Sequence, residues 1–334
     1  MGNTNIKKLA SELNLSAATV SRALRDSYEI SIETKQKVWA LAKKLNYEPN
    51  PSASNLRGQK SNTIAVIIPE VANNFFSQAI NGIEEIARQH GYHVLIYQTH
   101  ENAEIETAFT NKLLSGRVDG ILISIANNSC DNGHFANIVK EIPIVFFDRF
   151  FDDIDAFKIT TNDFESAYLA TEHLIACGCK KITFFEALNQ LSTGQKRIDG
   201  YLDALKHHHI YPAKNWILGS YSEDSKNLEQ VKNHLQTQKP DGMIASIEEL
   251  VLPCYYACRE LGLTIPDDLK LISFSNLKTA PLLNPSLTTI TQPAFEMGRE
   301  AAGILFKILN KKNFEAPKTT VLKSVLIKRA STGF

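Results

Sequence analysis

Near the start of the chain, small, hydroxylic and cationic side chains are spaced for one face of a short helix. Between Ser16 and Arg25, burial of Val20, Ala23 and Leu24 would leave Ala17, Ala18, Ser21, Arg22 and Arg25 facing outward. An arginine such as Arg22 can bridge the O6 and N7 acceptors of guanine, and alanine methyls such as those of Ala17 and Ala18 can meet thymine methyls. A short helix with such a face, braced by a neighbour across a tight turn, suits a DNA major groove. Any packed helical hairpin shows the same periodicity, so spacing alone leaves both readings open.

A second group of reactive side chains falls at the ends of predicted strands. Asn74, Phe75 and Phe76 follow TIAVIIP (63–69), and Asp148 and Arg149 follow PIVFFD (143–148). Arg197 stands early in a helix of the second half, and Ser275 and Asn276 close LKLISFS (269–275). Ligands of doubly wound sheets bind at the carboxyl ends of the strands. Aromatic faces, a bidentate guanidinium and a carboxylate together would suit a sugar or another polyhydroxylated ring. Each has a plainer role: either phenylalanine could be core, and Asp148 could cap a turn.

The elements that must position these groups follow from periodicity. Ile6, Leu9, Ala10 and Leu13 share one face of a first helix capped by Asn5; Asn14 and Leu15 turn the chain, and Ser16 caps the second helix. Ser31 caps a third, with Val38, Leu41, Ala42 and Leu45 inward, before Pro49 and Pro51 break the pattern. Residues 51–57 allow two helical turns at most, too few to be stable alone in water, so order is expected only on DNA. From Asn62, apolar runs alternate with amphipathic helices. Strands are predicted at 63–69, 94–97, 120–125, 143–148, 182–187, 242–246 and 269–275. Helices are predicted at 75–90, 103–116, 164–177, 194–209, 225–237 and 249–261, with a late helix at 293–310 and one strand at 320–328. Such alternation implies parallel sheets covered on both faces, and its restart after Thr160 implies two similar lobes with a cleft between them.

Charge is segregated. The 334 residues carry no net charge, yet residues 1–60 hold ten Lys/Arg against five Asp/Glu, leaving +5 there and −5 on the rest. A basic module on an acidic body fits a nucleic-acid contact at one end. No secretion signal or membrane span is read. Cys130, Cys177, Cys179, Cys254 and Cys258 form no C-x-x-C pair and are expected to be reduced, buried thiols of a cytoplasmic protein. His207, His208 and His209 point in different directions on a helix, so neither a metal nor a cofactor is expected. No nucleophile elbow, P-loop or dinucleotide fingerprint occurs, and catalysis is not expected.

Four blocks in register then carry a resemblance: I-K-x-L-A at 6–10, T-V-S-R-A-L at 19–24, I-S-x-E-T at 30–34 and N-Y-x-P-N-P at 46–51. They resemble the DNA-binding headpiece of the lactose-repressor (LacI/GalR) family. The similarity continues through N-x-F-F near 74, R-V-D-G-I-L at 117–122, R-x-x-G-Y at 197–201 and P-S-L-T-T-I-T-Q-P at 285–293. It implies an all-α helix-turn-helix headpiece (1–48), a hinge (49–60) and an α/β two-lobed, periplasmic-binding-protein-like body (61–334) of parallel doubly wound sheets. One lobe would comprise about 61–160 plus 292–322, the other about 161–291 plus 323–334.

The resemblance also places Ile6, Ser16, Thr19, Ser21 and Tyr47 in the DNA-facing set, and implies that Leu56, with Ala53 beside it, enters the minor groove. Ser31, Thr34 and Asn50 read as phosphate contacts. It adds Tyr221 as an aromatic ring stacked on an effector, and Ile247 before the helix at 249–261. Two departures matter: Ser275–Asn276 replaces the usual paired aspartates, and Ile247–Glu248 the usual Asn-Asp, so the site shows fewer acids than expected. The implied protein is a homodimeric regulator that binds operator DNA under control of a small molecule, carbohydrate-like by its side chains. A sugar-binding protein of the same body without regulatory DNA binding is the second reading.

Overall fold

A computed structural model describes residues 5–24, 26–45, 47, 61–114, 117–128, 133–188, 191–310 and 316–334. Arg25, Asn50, Ala53, Leu56 and Cys130 therefore lie outside the described residues, as does the hinge expected at 49–60. The chain divides into two compact units, Met1–Ser61 and Asn62–Phe334.

The first unit is a bundle of α1 (Ile6–Glu12), α2 (Ala17–Leu24) and α3 (Ile32–Lys44). Each start is fixed by a side-chain acceptor. Asn5 takes the Lys8 N–H, Ser16 the Thr19 N–H at 3.0 Å, and Ser31 the Thr34 N–H at 3.3 Å. Such caps typically stabilise a helix by about 1 kcal/mol each, which matters for helices of seven and eight residues. Leu9, Val20, Ala23 and Val38 are fully buried at the centre.

The second unit is built on two six-stranded sheets. The first contains β1 (Thr63–Ile68), β2 (His93–Gln98), β3 (Gly120–Ile123), β4 (Ile144–Phe147), β5 (Phe157–Thr161) and β11 (Thr319–Leu322), in the order β11-β5-β4-β3-β1-β2. The other contains β6 (Ile182–Glu186), β7 (Ile217–Gly219), β8 (Gly242–Ala245), β9 (Lys270–Phe274), β10 (Thr288–Thr291) and β12 (Val325–Ile327), in the order β12-β10-β9-β8-β6-β7. All pairings are parallel except β10 with β12. The central strands are continuous apolar runs because helices cover both faces. The helices are α4 (Asn74–Gln89), α5 (Ala103–Leu113), α6 (Gly133–Glu141), α7 (Asp163–Ala176), α8 (Ser192–His207), α9 (Asp224–Gln238), α10 (Val251–Leu261) and α11 (Ala294–Leu309).

Glycines let two helix pairs touch backbone to backbone. A Cβ on Gly298 of α11 would lie 2.0 Å from the Ala79 carbonyl oxygen of α4, and one on Gly200 of α8 would lie 2.1 Å from that of Phe164 on α7.

The single strand expected at 320–328 is instead two. β11 ends the first sheet and β12 the second, and between them the Ser324 N–H donates to Asn162 Oδ1 at 2.8 Å. The apolar alternation runs through both halves and hides the crossing. Strands β5, β7 and β10 and helix α6 carry no expectation from the sequence. β5 and β10 are rich in threonine, and β7 is a three-residue edge strand.

Candidate functional site

In the headpiece, Ala17, Ala18 and Arg22 are exposed on α2, Ser21 and Thr19 are half-buried, and Val20, Ala23 and Leu24 are buried. The helix therefore presents the outer face described above. Arg22 is held by Glu29, with Nε 3.4 Å from the carboxylate, and its side chain is about half exposed. Ser31 and Thr34 share a hydroxyl–hydroxyl contact of 2.9 Å at the exposed start of α3. Ile6 and Tyr47 pack against the headpiece core, and burial raises the Tyr47 phenol above its usual pKa.

In the body, the strand ends converge on a cleft between the two sheets. Phe75 and Phe76 both line it, edge to face at 5.2 Å, and both also belong to the core of the first lobe. Asn73 caps α4 by accepting the Phe75 N–H, and this turn aims the phenylalanines inward. Asp148, just past β4, adopts a left-handed backbone (φ 62°), and the Arg149 N–H closes a tight turn onto the Phe147 carbonyl at 2.8 Å. Such a conformation is unusual for a residue with a side chain, although Asp tolerates it better than most. It brings Asp148 and Arg149 to the cleft together. Burial pushes the Asp148 carboxyl up to about 6, against the opposing pull of Arg149 and Arg197.

Arg197 enters from α8 and is 2 % exposed. Its Nε meets Asp163 at 2.8 Å, an Nη donates to the Ser246 carbonyl, and the guanidinium lies 4.1 Å from the centre of the Phe274 ring. Arg149 pairs with Glu101 at 2.7 Å and stands over Phe76 at 5.5 Å. Both arginines are thus fixed before any ligand arrives, and their planar faces and remaining N–H groups are oriented by neighbouring acids. Glu186, at the end of β6, is buried and pushed up to about 7 by desolvation, although the Leu188 and Ala187 N–H groups oppose the shift.

Ile247, Ser275 and Asn276 also line the cleft, whereas Asn74 lies at its edge and reaches it through a hydrogen bond to Glu248. Tyr221 is not brought to the site. It follows β7, the edge strand, is 53 % exposed, and its backbone is tied to Asn227. An edge position keeps it from the centre of the sheet, where the other strand ends meet.

The expected shortage of acids is corrected as well. Glu248 lines the cleft, and Asp163 and Glu186 stand just behind it. Motif reading passes over them because Asp163 is in a helix start and Glu186 closes an apolar strand, and neither position announces a ligand. Gln292, at the crossing between the sheets, is another lining residue; it lies in the P-S-L-T-T-I-T-Q-P block, which does not by itself single it out for the cleft. Among the described residues no cluster of three or more His, Cys, Asp or Glu could hold a metal ion. His208 instead pairs with Glu172 at 2.6 Å. Nor is any helix among them long and apolar enough to cross a membrane.

Comparison with known proteins agrees with this division. Residues 5–50 match the family of bacterial regulatory proteins of the lacI type, and residues 61–330 match that of periplasmic binding proteins and the sugar-binding domain of the LacI family. Catabolite control protein A of Staphylococcus xylosus is 30 % identical over 93 % of this chain and 94 % of its own. The lac repressor dimer bound to operator and the anti-inducer ONPF superposes with a TM-score of 0.85 at 23 % identity, covering 99 % of each chain. A LacI-type regulator from Alkaliphilus metalliredigens complexed with D-xylulofuranose superposes with a TM-score of 0.71 at 27 % identity, covering 81 % of this chain and 98 % of that one. With its helix-turn-helix headpiece and two-lobed ligand-binding body, the chain belongs to the LacI family of DNA-binding transcription regulators.

Proposed function

We propose that the chain is a cytoplasmic, nucleoid-bound repressor that acts as a homodimer and whose operator affinity is set by a carbohydrate-class effector held in the cleft. The observation that carries the effector assignment is the pairing of Phe75, Phe76 and Phe274 faces with the fixed guanidiniums of Arg149 and Arg197. Apolar ring faces cover the C–H side of a sugar, and fixed donors and acceptors meet its hydroxyls. The relative complexed with D-xylulofuranose is consistent with that class. Binding rather than turnover is the proposed role.

Two headpieces would read the half-sites of a near-palindromic operator. Closure of the cleft around the effector changes the separation of the lobes, and the coupling to DNA must be reciprocal. In this reading Arg22 contacts a guanine edge with its guanidinium, while Ser31 and Thr34 contact phosphate.

Selection of random duplexes by the purified protein tests the proposal. A two-fold-symmetric enriched site, with affinity shifted by a sugar, is the expected result. Arg22→Ala should then cost about 1–3 kcal/mol at one base pair of each half-site and relax its specificity; an unchanged base preference would refute the assignment. A sugar that binds while no duplex is enriched would favour the binding-protein reading.

A further inference from the structure

The cleft already holds an anion, and it belongs to the chain itself. Glu248 opens the turn Glu248–Leu250 ahead of α10. Its Oε1 accepts the Asn74 N–H at 2.8 Å and Asn74 Nδ2 at 3.0 Å. Its Oε2 accepts the Asn276 N–H at 3.1 Å and the Ser275 hydroxyl at 3.3 Å. Asn74 is the first residue of α4, in the lobe of the first sheet, and its amide is one of those a helix start leaves without an intrahelical partner. Ser275 and Asn276 follow β9 in the other lobe. One carboxylate therefore ties the two lobes together across the cleft. The neighbouring Glu249 accepts Asn73 Nδ2 from the same helix start.

Little space is left beside it. The room open to the centre of a water-sized sphere is about 30 Å³, enough for roughly two waters and not for a pyranose ring. Any ring-sized effector must break the Glu248 bridge, either by displacing the side chain or by opening the lobes that it joins.

We propose that Glu248 is an internal stand-in for part of the effector, and that the effector is a sugar acid whose carboxylate takes over the same four donors. The inference rests on the reading of this cleft as the effector site. When Glu248 swings out, the donors of Asn74, Ser275 and Asn276 stay behind, and a buried donor without an acceptor is costly. A carboxylate restores charge-assisted bonds, which are roughly twice as strong as neutral ones. It also places a carboxylate where that of Glu248 had been, in a cleft lined by Arg149 and Arg197. A neutral sugar offers only hydroxyl acceptors in exchange for a carboxylate.

The bridge lowers the apparent affinity by the fraction of time that the site is free. A bridge closed about nine-tenths of the time lowers affinity about tenfold. Full-length wild type, Glu248→Ala and Glu248→Gln should be titrated calorimetrically with galacturonate and gluconate and with the parent galactose and glucose. Hydrogen exchange at the Asn74 and Asn276 amides should be followed without ligand. The expected result is about tenfold tighter binding of every sugar that binds to Glu248→Ala, with each sugar acid tighter than its neutral parent in both proteins, and faster exchange at both amides in both variants. The amide variant keeps the side-chain volume, so it separates loss of the bridge from loss of packing should the alanine variant fold poorly. Neutral sugars that bind wild type and Glu248→Ala equally, with sugar acids no tighter, would overturn the stand-in and leave the carbohydrate cleft intact. Failure of every sugar to bind any form, with DNA binding retained, would overturn both. Unchanged exchange at the two amides would overturn the bridge by itself.

Discussion

The two lobes of the body are the same design carried out twice, with different chemistry at the cleft. Their strand orders correspond one to one, from β11 and β12 at one edge to β2 and β7 at the other, and in each a glycine lets two helices meet at backbone contact. On the cleft side they diverge. The first lobe presents Phe75 and Phe76 and the start of α4; the second buries Arg197, Asp163 and Glu186 almost completely. One lobe thus adds two rings and a positive helix end to its ions Asp148 and Arg149, whereas the other adds one ring, Phe274, to an ion pair buried at both ends. Division of this kind suits an amphipathic ligand such as a sugar ring, and it predicts that matched substitutions in the two lobes will have unequal effects.

The largest difference should come from the arginines. Arg197→Ala leaves Asp163 buried without its partner, and removing one member of a buried pair typically costs about 3–5 kcal/mol. Arg149 is comparably buried and meets buried Asp148 at 3.5 Å as well as Glu101, whose side chain is 43 % exposed; water can rehydrate Glu101 and Asp148 can take up a proton, so Arg149→Ala should cost about 1–3 kcal/mol. Urea denaturation of the two variants measures this directly, and equal losses would dissolve the distinction between the ion pairs of the two lobes.

The glycines should show where the lobes are alike. Gly298→Ala and Gly200→Ala each place a methyl about 2 Å from a carbonyl oxygen. Each should lose about 1–3 kcal/mol through overpacking, in spite of the helix propensity gained. A loss confined to one variant would mean that only one helix pair is held at backbone distance.

The alternation of apolar runs and amphipathic helices was enough to read the sheets, because buried parallel strands have no other way to be written. The positions of Arg197, Asp148, Ser275 and Asn276 at the cleft were readable for the same reason, since strand ends of a doubly wound sheet meet in space. The buried ions behind it were not. Glu186 looks like the polar end of an apolar strand, and Asp163 like an ordinary helix-start acid; only the tertiary pairing with Arg197 and the burial make them part of a site. Glu248 stood in view as a departure from family pattern, but a side chain that bonds across two lobes leaves no periodic trace. Tyr221 erred in the opposite direction, because a motif position does not reveal that its strand lies at the sheet edge.

The two lobes should also titrate apart. Glu186 is raised from 4.5 to about 7 and Asp148 from 3.8 to about 6. For an acid whose pKa is higher folded than unfolded, the folded state holds its proton more tightly. The associated stability is therefore present in full below the unfolded value and is lost as pH rises through the folded one. Wild type should lose stability between about pH 4 and 8, with the Asp148 share gone by about pH 7 and the Glu186 share by about pH 8. Glu186→Gln should flatten the upper part of that fall and Asp148→Asn the lower part. Melting temperatures measured at half-unit pH steps check this, and parallel curves for all three proteins would sink it.

The smallest effect expected is at Tyr221, and its smallness is the informative point. The ring is 53 % exposed at the end of an edge strand, whereas Phe76 is 2 % exposed and inside both the core and the cleft lining. Exposed side chains away from caps and ion pairs usually shift stability by less than about 0.5 kcal/mol, and a ring outside the cleft has no contact to lose when a ligand leaves. Tyr221→Ala should accordingly keep the wild-type affinity for any sugar that binds, within the error of a calorimetric titration. A tenfold loss would mean that the loop after β7 folds over the ligand on binding, so that the second lobe supplies a further aromatic face beside Phe274. The lobes would then share the apolar role equally, and the contrast between them would reduce to the buried ions alone.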